Sequence, residues 1–235
     1  MNKEDKTLSI WQLIIKALGI FIFIIILWLI LVLTAGNFFW TEALLLSGAY
    51  GISVLVFMII GYIKFPDLMK ERTNPGKNVK PWDLLIMRAV YPAVLIAQLI
   101  VCALDAQRFH WTTIPVYFQI TGAVLFVITE IWTFYVVLSN PFASSVVRIQ
   151  NDRNQKVIST GPYKLVRHPM YLGLLLLFFA IPLFLESQFG LAFSVLLSVI
   201  FVIRTKKEDD TLKAELDGYQ DYCQKTKKRL IPGIW

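Results

Sequence analysis

Long, nearly unbroken runs of apolar residues constrain this chain more than any other feature. The first extends from about Ile10 to Ala35 and is broken only by Gln12 and Lys16 near its start. Others cover about 41–63, 84–104 and 115–138, and two shorter ones cover about 170–185 and 189–203. Roughly 20 apolar residues in a helix cross a bilayer. Helices and closed barrels are the only backbones that satisfy their own polar groups in lipid. These runs are too long and too uniformly apolar for barrel strands. With 57% hydrophobic residues in 235, the chain also carries more apolar surface than a soluble domain of that length needs. The expected fold is all-α: one polytopic membrane domain, 1–235, of about six transmembrane helices. The last two form a short C-terminal hairpin that leads into a cytoplasmic C-terminal helix. The first run is too long for a signal-peptide core and lacks a convincing cleavage site, so a retained helix is expected.

The charges give the expected orientation. Cytoplasmic loops carry the excess of Lys and Arg. Lys3, Lys6 and Lys16 mark the N-terminal end, and Lys64, Lys70, Arg72, Lys77 and Lys80 fill the loop after the second run. Arg148, Arg153, Lys156, Lys164 and Arg167 follow the fourth run, and eight further basic residues follow the sixth, beginning at Arg204. Arg88 lies just inside the third run, and only Arg108 falls in an expected outside loop. Both termini are therefore expected in the cytoplasm. The formal charge of +7 reads as topology and attraction to anionic head groups, with no nucleic-acid partner implied. Cys102 falls in a span and Cys223 in a tail expected to be reduced, so no disulfide is predicted. Two distant histidines do not make a zinc site. Oligomeric state is not legible.

The loops are unequal. Those at 36–40 and 186–189 are very short, whereas 64–83 and 139–169 are long, polar and rich in Pro, Gly and Asn. Long loops on one face of a rigid scaffold usually carry function, which places any chemistry on the cytoplasmic face. After Arg204 the tail reads as helical to about Leu216. Glu208, Leu212, Leu216, Tyr219 and Cys223 share one stripe, with Asp209 beside it. An ordinary surface helix with acidic residues in its first turn is the alternative. The apolar end Leu230-Ile231-Pro232 to Trp235 is expected to fold back as a lid or to rest at the interface.

The most informative stretch is Gly161-Pro162-Tyr163-Lys164-Leu165-Val166-Arg167-His168-Pro169-Met170-Tyr171-Leu172-Gly173. Pro169 suits a first helical turn, because its missing N–H would be unpaired there in any case. A helix start offers free N–H groups and partial positive charge, and Arg167 and His168 add donors at the same point. That combination suits a carboxylate or phosphate. Gly173 permits close approach of a ligand or a neighbouring helix. The next run exits into Arg204, Glu208 and Asp209, so a tight hairpin would set a basic helix entrance beside an acidic helix exit. A zwitterion with one carboxylate and one ammonium fits such a site. Anchoring at the head-group level is the alternative reading of the basic pair.

The stretch resembles the R-H-P-x-Y-x-G signature of the isoprenylcysteine carboxyl methyltransferase family, which is related to phospholipid methyltransferases. Gly161-Pro162-Tyr163 before it and Glu208-Asp209 after a short hairpin continue the resemblance. So do Leu212, Gly218, Tyr219, Tyr222, Arg229 and Pro232. It covers about 140–235, while the spans before 140 resemble the family only in hydrophobicity. Pro66, Glu71-Arg72 and Lys80-Pro81-Trp82-Asp83 look like bacterial members. Many members have Glu-Glu where this chain has Glu208-Asp209, a change that keeps the charge and shortens the reach.

The resemblance implies an S-adenosylmethionine-dependent enzyme with N-terminal helices over 1–138 and a cofactor-binding and catalytic region over 139–235. It implies a cofactor site of Tyr163, His168, Tyr171, Gly173, Glu208 and Asp209. The cofactor carboxylate would lie at the helix start by His168, its ammonium on Glu208, and its ribose near Asp209 unless that residue supports Glu208. Tyr163, Tyr219 or Tyr222 would line adenine or sulfonium. A carboxylate acceptor needs no general base, being ionised at neutral pH, but needs a cation to draw it in. Arg167 and Arg204 are the candidates, with Asn140 and Arg148 on the acceptor side. The expected partners are a lipophilic or lipidated substrate and membrane lipids. Two other readings are a membrane NADPH-dependent sterol or enone reductase, separable by nicotinamide binding, and a non-enzymatic scaffold, which would show no heat on titration with S-adenosylmethionine.

Overall fold

The computed structural model describes residues 10–235, apart from the side chains of residues 10, 12 and 13. Lys3 and Lys6, expected at the inner end of the first span, lie outside the described residues. Helix α1 is Ile10–Ala35, α2 is Thr41–Lys64, and the short α3 is Pro66–Thr73. One continuous helical run, Pro81–Phe109, follows. Within it α4 (Pro81–Leu85) and α5 (Tyr91–Ala103) are joined by a wider π segment, Ile86–Val90, and a second π segment, Leu104–Phe109, ends the run. Then come α6 (Val116–Leu138), α7 (Pro169–Phe184), α8 (Gln188–Glu215) and α9 (Tyr219–Lys225). Five of these runs are long and apolar enough to cross a membrane, and α7 is a shorter apolar helix. The expected all-α membrane bundle is the observed fold. Its boundaries differ from the sequence reading chiefly at α8, which continues well past the expected end of the last span without a break.

The loops gather at two ends, as a chain crossing back and forth requires. At one end Asn37 Nδ2 donates to Gln107 at 3.3 Å, and Arg108 donates to the Thr34 carbonyl at 3.1 Å. There the buried Asp105 collects donors from Thr112, Ser187 and the Phe189 N–H, tying the second π segment to the α7–α8 turn. At the other end the 65–80 segment, the 139–168 loop and the C-terminal tail meet. Lys80 N–H donates to the Val147 carbonyl at 2.9 Å, and the Arg167 and His168 N–H groups donate to Lys228 and Arg229 carbonyls at 3.0 and 2.9 Å. These three segments hold most of the basic residues.

The helices approach closely where glycine replaces a side chain. A Cβ on Gly122 of α6 would stand 2.5 Å from the Phe184 backbone nitrogen and 2.8 Å from the Ala180 carbonyl oxygen of α7. Helix α7 has 16 residues and rises about 24 Å, short of a hydrocarbon core of roughly 30 Å. Helix α8 has 28 residues and runs antiparallel after a short turn. It therefore passes the start of α7, and its residues 204–209 lie level with Arg167 and His168. The apolar end folds back: Leu230 is fully buried in a cluster with Tyr171, Phe178, Leu197 and Phe201.

Candidate active site

The α7 start, the 139–168 loop, the late turns of α8 and α9 surround a partly open cavity of about 820 Å³, a figure that includes open solvent at its mouth. His168 caps α7 and is buried. Its Nδ1 stands 4.0 Å from Glu208 Oε2, and its Nε2 stands 3.4 Å from Asp209 Oδ1. Glu208 is partly exposed to the cavity. The expected meeting of a basic helix entrance with an acidic helix exit is present.

Of the residues singled out from the sequence, Asn140, Arg148, Tyr163, Arg167, His168, Tyr171 and Glu208 line this cavity. Leu212, Leu216 and Tyr219 of the tail stripe line it too, and Tyr222 takes the place expected for Cys223. The stripe survives because the chain breaks at Gly218, whose φ of 77° is costly for other residues, and resumes as α9 on the same side.

Three expected site residues stand elsewhere. Gly173 is not on the cavity wall; it admits α6. A Cβ there would lie 2.8 Å from Trp132 Cδ1 and 3.0 Å from Thr133 Oγ1, and the Trp132 indole is held by a 2.8 Å bond to the Pro169 carbonyl. Asp209 is wholly buried, and protein donors occupy both its oxygens. Arg167 Nε reaches Oδ1 at 2.8 Å, Tyr219 OH reaches it at 3.0 Å, and Lys213 and Arg229 reach Oδ2 at 2.7 and 3.0 Å. Asp209 therefore ties the α7 start to the tail instead of facing a ribose. Arg204 is likewise buried, forked onto Asp83 at 2.7 and 3.2 Å.

Arg204 acts through Tyr171. Its Nη1 donates to the Tyr171 hydroxyl, its guanidinium lies 4.8 Å from that ring's centroid, and the hydroxyl donates onward to Glu208 Oε2. The chain Asp83–Arg204–Tyr171–Glu208 fixes one oxygen of Glu208. The other oxygen has no protein hydrogen bond among the described residues. The Tyr171 and His168 rings stack, with centroids 5.7 Å apart, so the same tyrosine orients both polar ends of the site.

Reading the residues alone missed how the wall opposite is built. Arg148 is buried between Glu71, at 2.8 and 2.7 Å, and Asp152, at 2.8 Å, bonds that raise its pKa above the ordinary arginine value. Asp83 Oδ2 also accepts the Val147 N–H at 2.7 Å. Glu71 and Asp83 stand in the 64–83 segment, which the sequence marked as a long polar loop and by its likeness to bacterial sequences, without showing which charges its carboxylates would meet. Tyr163 closes the cavity from the loop side, and burial pushes its phenol up to about 12. A bond from the Asn140 side chain pulls against that shift, as does the charge of Arg72, while Glu208 adds to it. Tyr219 is raised too, first by burial and then by Asp209.

The arrangement can hold a small zwitterion. The His168 ring and the Met170 N–H lie on the α7 side, a half-free carboxylate lies on α8, and aromatic faces lie between. No curated protein matches the chain. Residues 117–215 match the phospholipid methyltransferase family, to which the isoprenylcysteine carboxyl methyltransferases are related. The match bears out the resemblance carried by Arg167-His168-Pro169 and extends it upstream over α6, beyond the expected start near 140. It supports membrane methyltransferase activity.

Proposed function

We propose that this membrane methyltransferase takes its methyl group from S-adenosylmethionine and delivers it to a carboxylate on a lipophilic acceptor. The observation that carries the reading is the approach of His168 Nδ1 to Glu208 Oε2, 4.0 Å apart on one cavity wall. The cofactor's α-carboxylate would take the Met170 N–H, which the first turn of α7 leaves without a partner among the described residues, with His168 beside it. Its ammonium would take the open oxygen of Glu208. Tyr163, Tyr219 and Tyr222 supply faces for adenine or sulfonium.

The protein's part in transfer is alignment and exclusion of water. The acceptor oxygen forms a bond to the methyl carbon as the carbon–sulfur bond breaks. The sulfur keeps the electron pair and loses its positive charge, and no proton moves. This favours a carboxylate over an amine, because His168 and Glu208 are already engaged with the cofactor and neither is left as a base. The basic segments at 64–80, 148–167 and 204–229 share the cavity's end of the bundle, which supports a cytoplasmic site and cytoplasmic termini.

Membranes containing the protein are incubated with S-adenosylmethionine labelled in its methyl group, and the lipids are extracted and treated with base. The expected label is base-labile, an ester. Base-stable label in an amine-bearing phospholipid would replace this reading with N-methylation.

A further inference from the structure

The acceptor reading requires a cation near the methyl group, and the two arginines expected from the sequence are both committed. Arg167 spends Nε and Nη2 on Asp209 and Nη1 on the Thr226 and Lys227 carbonyls. Arg204 is forked onto Asp83. Arg148 is held by Glu71 and Asp152, and Arg229 by Asp209. A guanidinium already matched to a carboxylate has little net charge to offer a second one.

Arg72, in the last turn of α3, differs. It is half-buried, and no carboxylate pairs with it among the described residues. Its one polar contact there is from Nη1 to the Ala143 carbonyl at 3.4 Å, and its guanidinium lies over the Phe57 ring of α2 at 5.9 Å. Ser145 Oγ donates to its carbonyl at 3.0 Å, fixing the α3 end against the cavity loop. Ala143 and Tyr163 are cavity residues. Arg72 is within electrostatic reach of the Tyr163 and Tyr171 phenols, and the Tyr163 phenol in turn senses both Arg72 and Glu208. Burial lowers the pKa of Arg72, but an arginine stays charged at neutral pH. An uncompensated guanidinium in partly desolvated surroundings is costly to keep unless a ligand's charge completes it.

We propose that Arg72 is the residue that receives the acceptor's carboxylate, across Tyr163 from the cofactor's ammonium on Glu208, with the acceptor's apolar tail running along α2 beside Phe57. This rests on the carboxylate reading above and names the residue that enforces it.

The test uses N-acetyl-S-farnesylcysteine as a lipophilic carboxylate and its primary amide as an uncharged match, on the full chain in detergent. Wild type is expected to form a methyl ester and to bind the acid at least tenfold more tightly than the amide. Arg72→Gln is expected to keep its affinity for S-adenosylmethionine, raise the KM for the acid at least tenfold and bind acid and amide alike. Arg72→Lys is expected to restore part of the preference. If wild type makes no ester, the carboxylate reading falls and the role of Arg72 falls with it. If wild type makes ester but Arg72→Gln keeps the preference for acid, Arg72 alone is removed. Should Arg72→Gln fail to fold, equal binding of acid and amide to wild type still overturns the assignment.

Discussion

Asp83 and Arg204 form a buried ion pair whose partners stand 121 residues apart, and their joint removal should be far milder than the removal of either. The side chains are 0% and 2% exposed and are forked at 2.7 and 3.2 Å. Breaking a buried pair from one side leaves an uncompensated charge and costs about 3–5 kcal/mol. Each survivor keeps a lesser partner: Asp83 keeps the Val147 N–H, and Arg204 keeps the Tyr171 hydroxyl. The lower end of that range, about 3 kcal/mol, is therefore expected for Asp83→Asn and for Arg204→Met. The double variant retains an acceptor for Val147 and buries only an unpaired amide N–H₂, a loss of about 1 kcal/mol. Reversible unfolding in mixed micelles, followed by tryptophan fluorescence, would measure all three. Arg204→Met should also weaken S-adenosylmethionine binding, because Tyr171 loses the hold that directs it onto Glu208; Asp83→Asn, which leaves that hold in place, should weaken it less. Losses that simply add in the double variant would refute the pairing as the source of this stability.

Gly122→Ala should destabilise by about 2–3 kcal/mol, because the backbone of α7 is what its methyl group meets; unchanged unfolding would contradict the α6–α7 contact. Gly173→Ala should cost about 1–2 kcal/mol and shift Trp132 emission, since the indole is bonded to Pro169 and cannot swing aside freely. Tyr163 holds its proton to about pH 12 in the folded chain, above the ordinary value near 10. Its contribution is therefore fully present below pH 10 and fades as pH rises toward 12. Stability should fall less steeply over pH 10–12 in Tyr163→Phe than in wild type, and parallel curves would count against the buried phenol.

The helices were legible because bilayer crossing writes itself as uninterrupted apolar length, and even the short α7 stood out. The acidic stripe was legible for the same local reason: Glu208, Leu212 and Leu216 follow the helical repeat, and Gly218 marks the break before Tyr219. Which charges face a ligand and which face one another was not legible. Arg167 and Arg204 looked alike as free cations near a helix end. Their partners, Asp209 and Asp83, are set by how α8 passes α7 and how the 81–85 turn docks beneath it. Arg148 likewise looked like an acceptor-side cation until Glu71 arrived from the 64–83 segment. Gly173 was ambiguous by nature, since a missing side chain serves a ligand and a neighbouring helix equally, and the Trp132 ring decides it.

Everything proposed for the chemistry depends on one small zwitterion lying between the head of α7 and the carboxylate of α8. Isothermal titration of purified protein with S-adenosylmethionine reads this directly, with Glu208→Gln as the partner measurement. Glu208 is 21% exposed and carries little of the fold, so the variant should remain folded. Saturable single-site binding in wild type, weakened at least tenfold in Glu208→Gln, is the predicted result. No binding to wild type, or equal affinity in the two proteins, would contradict it.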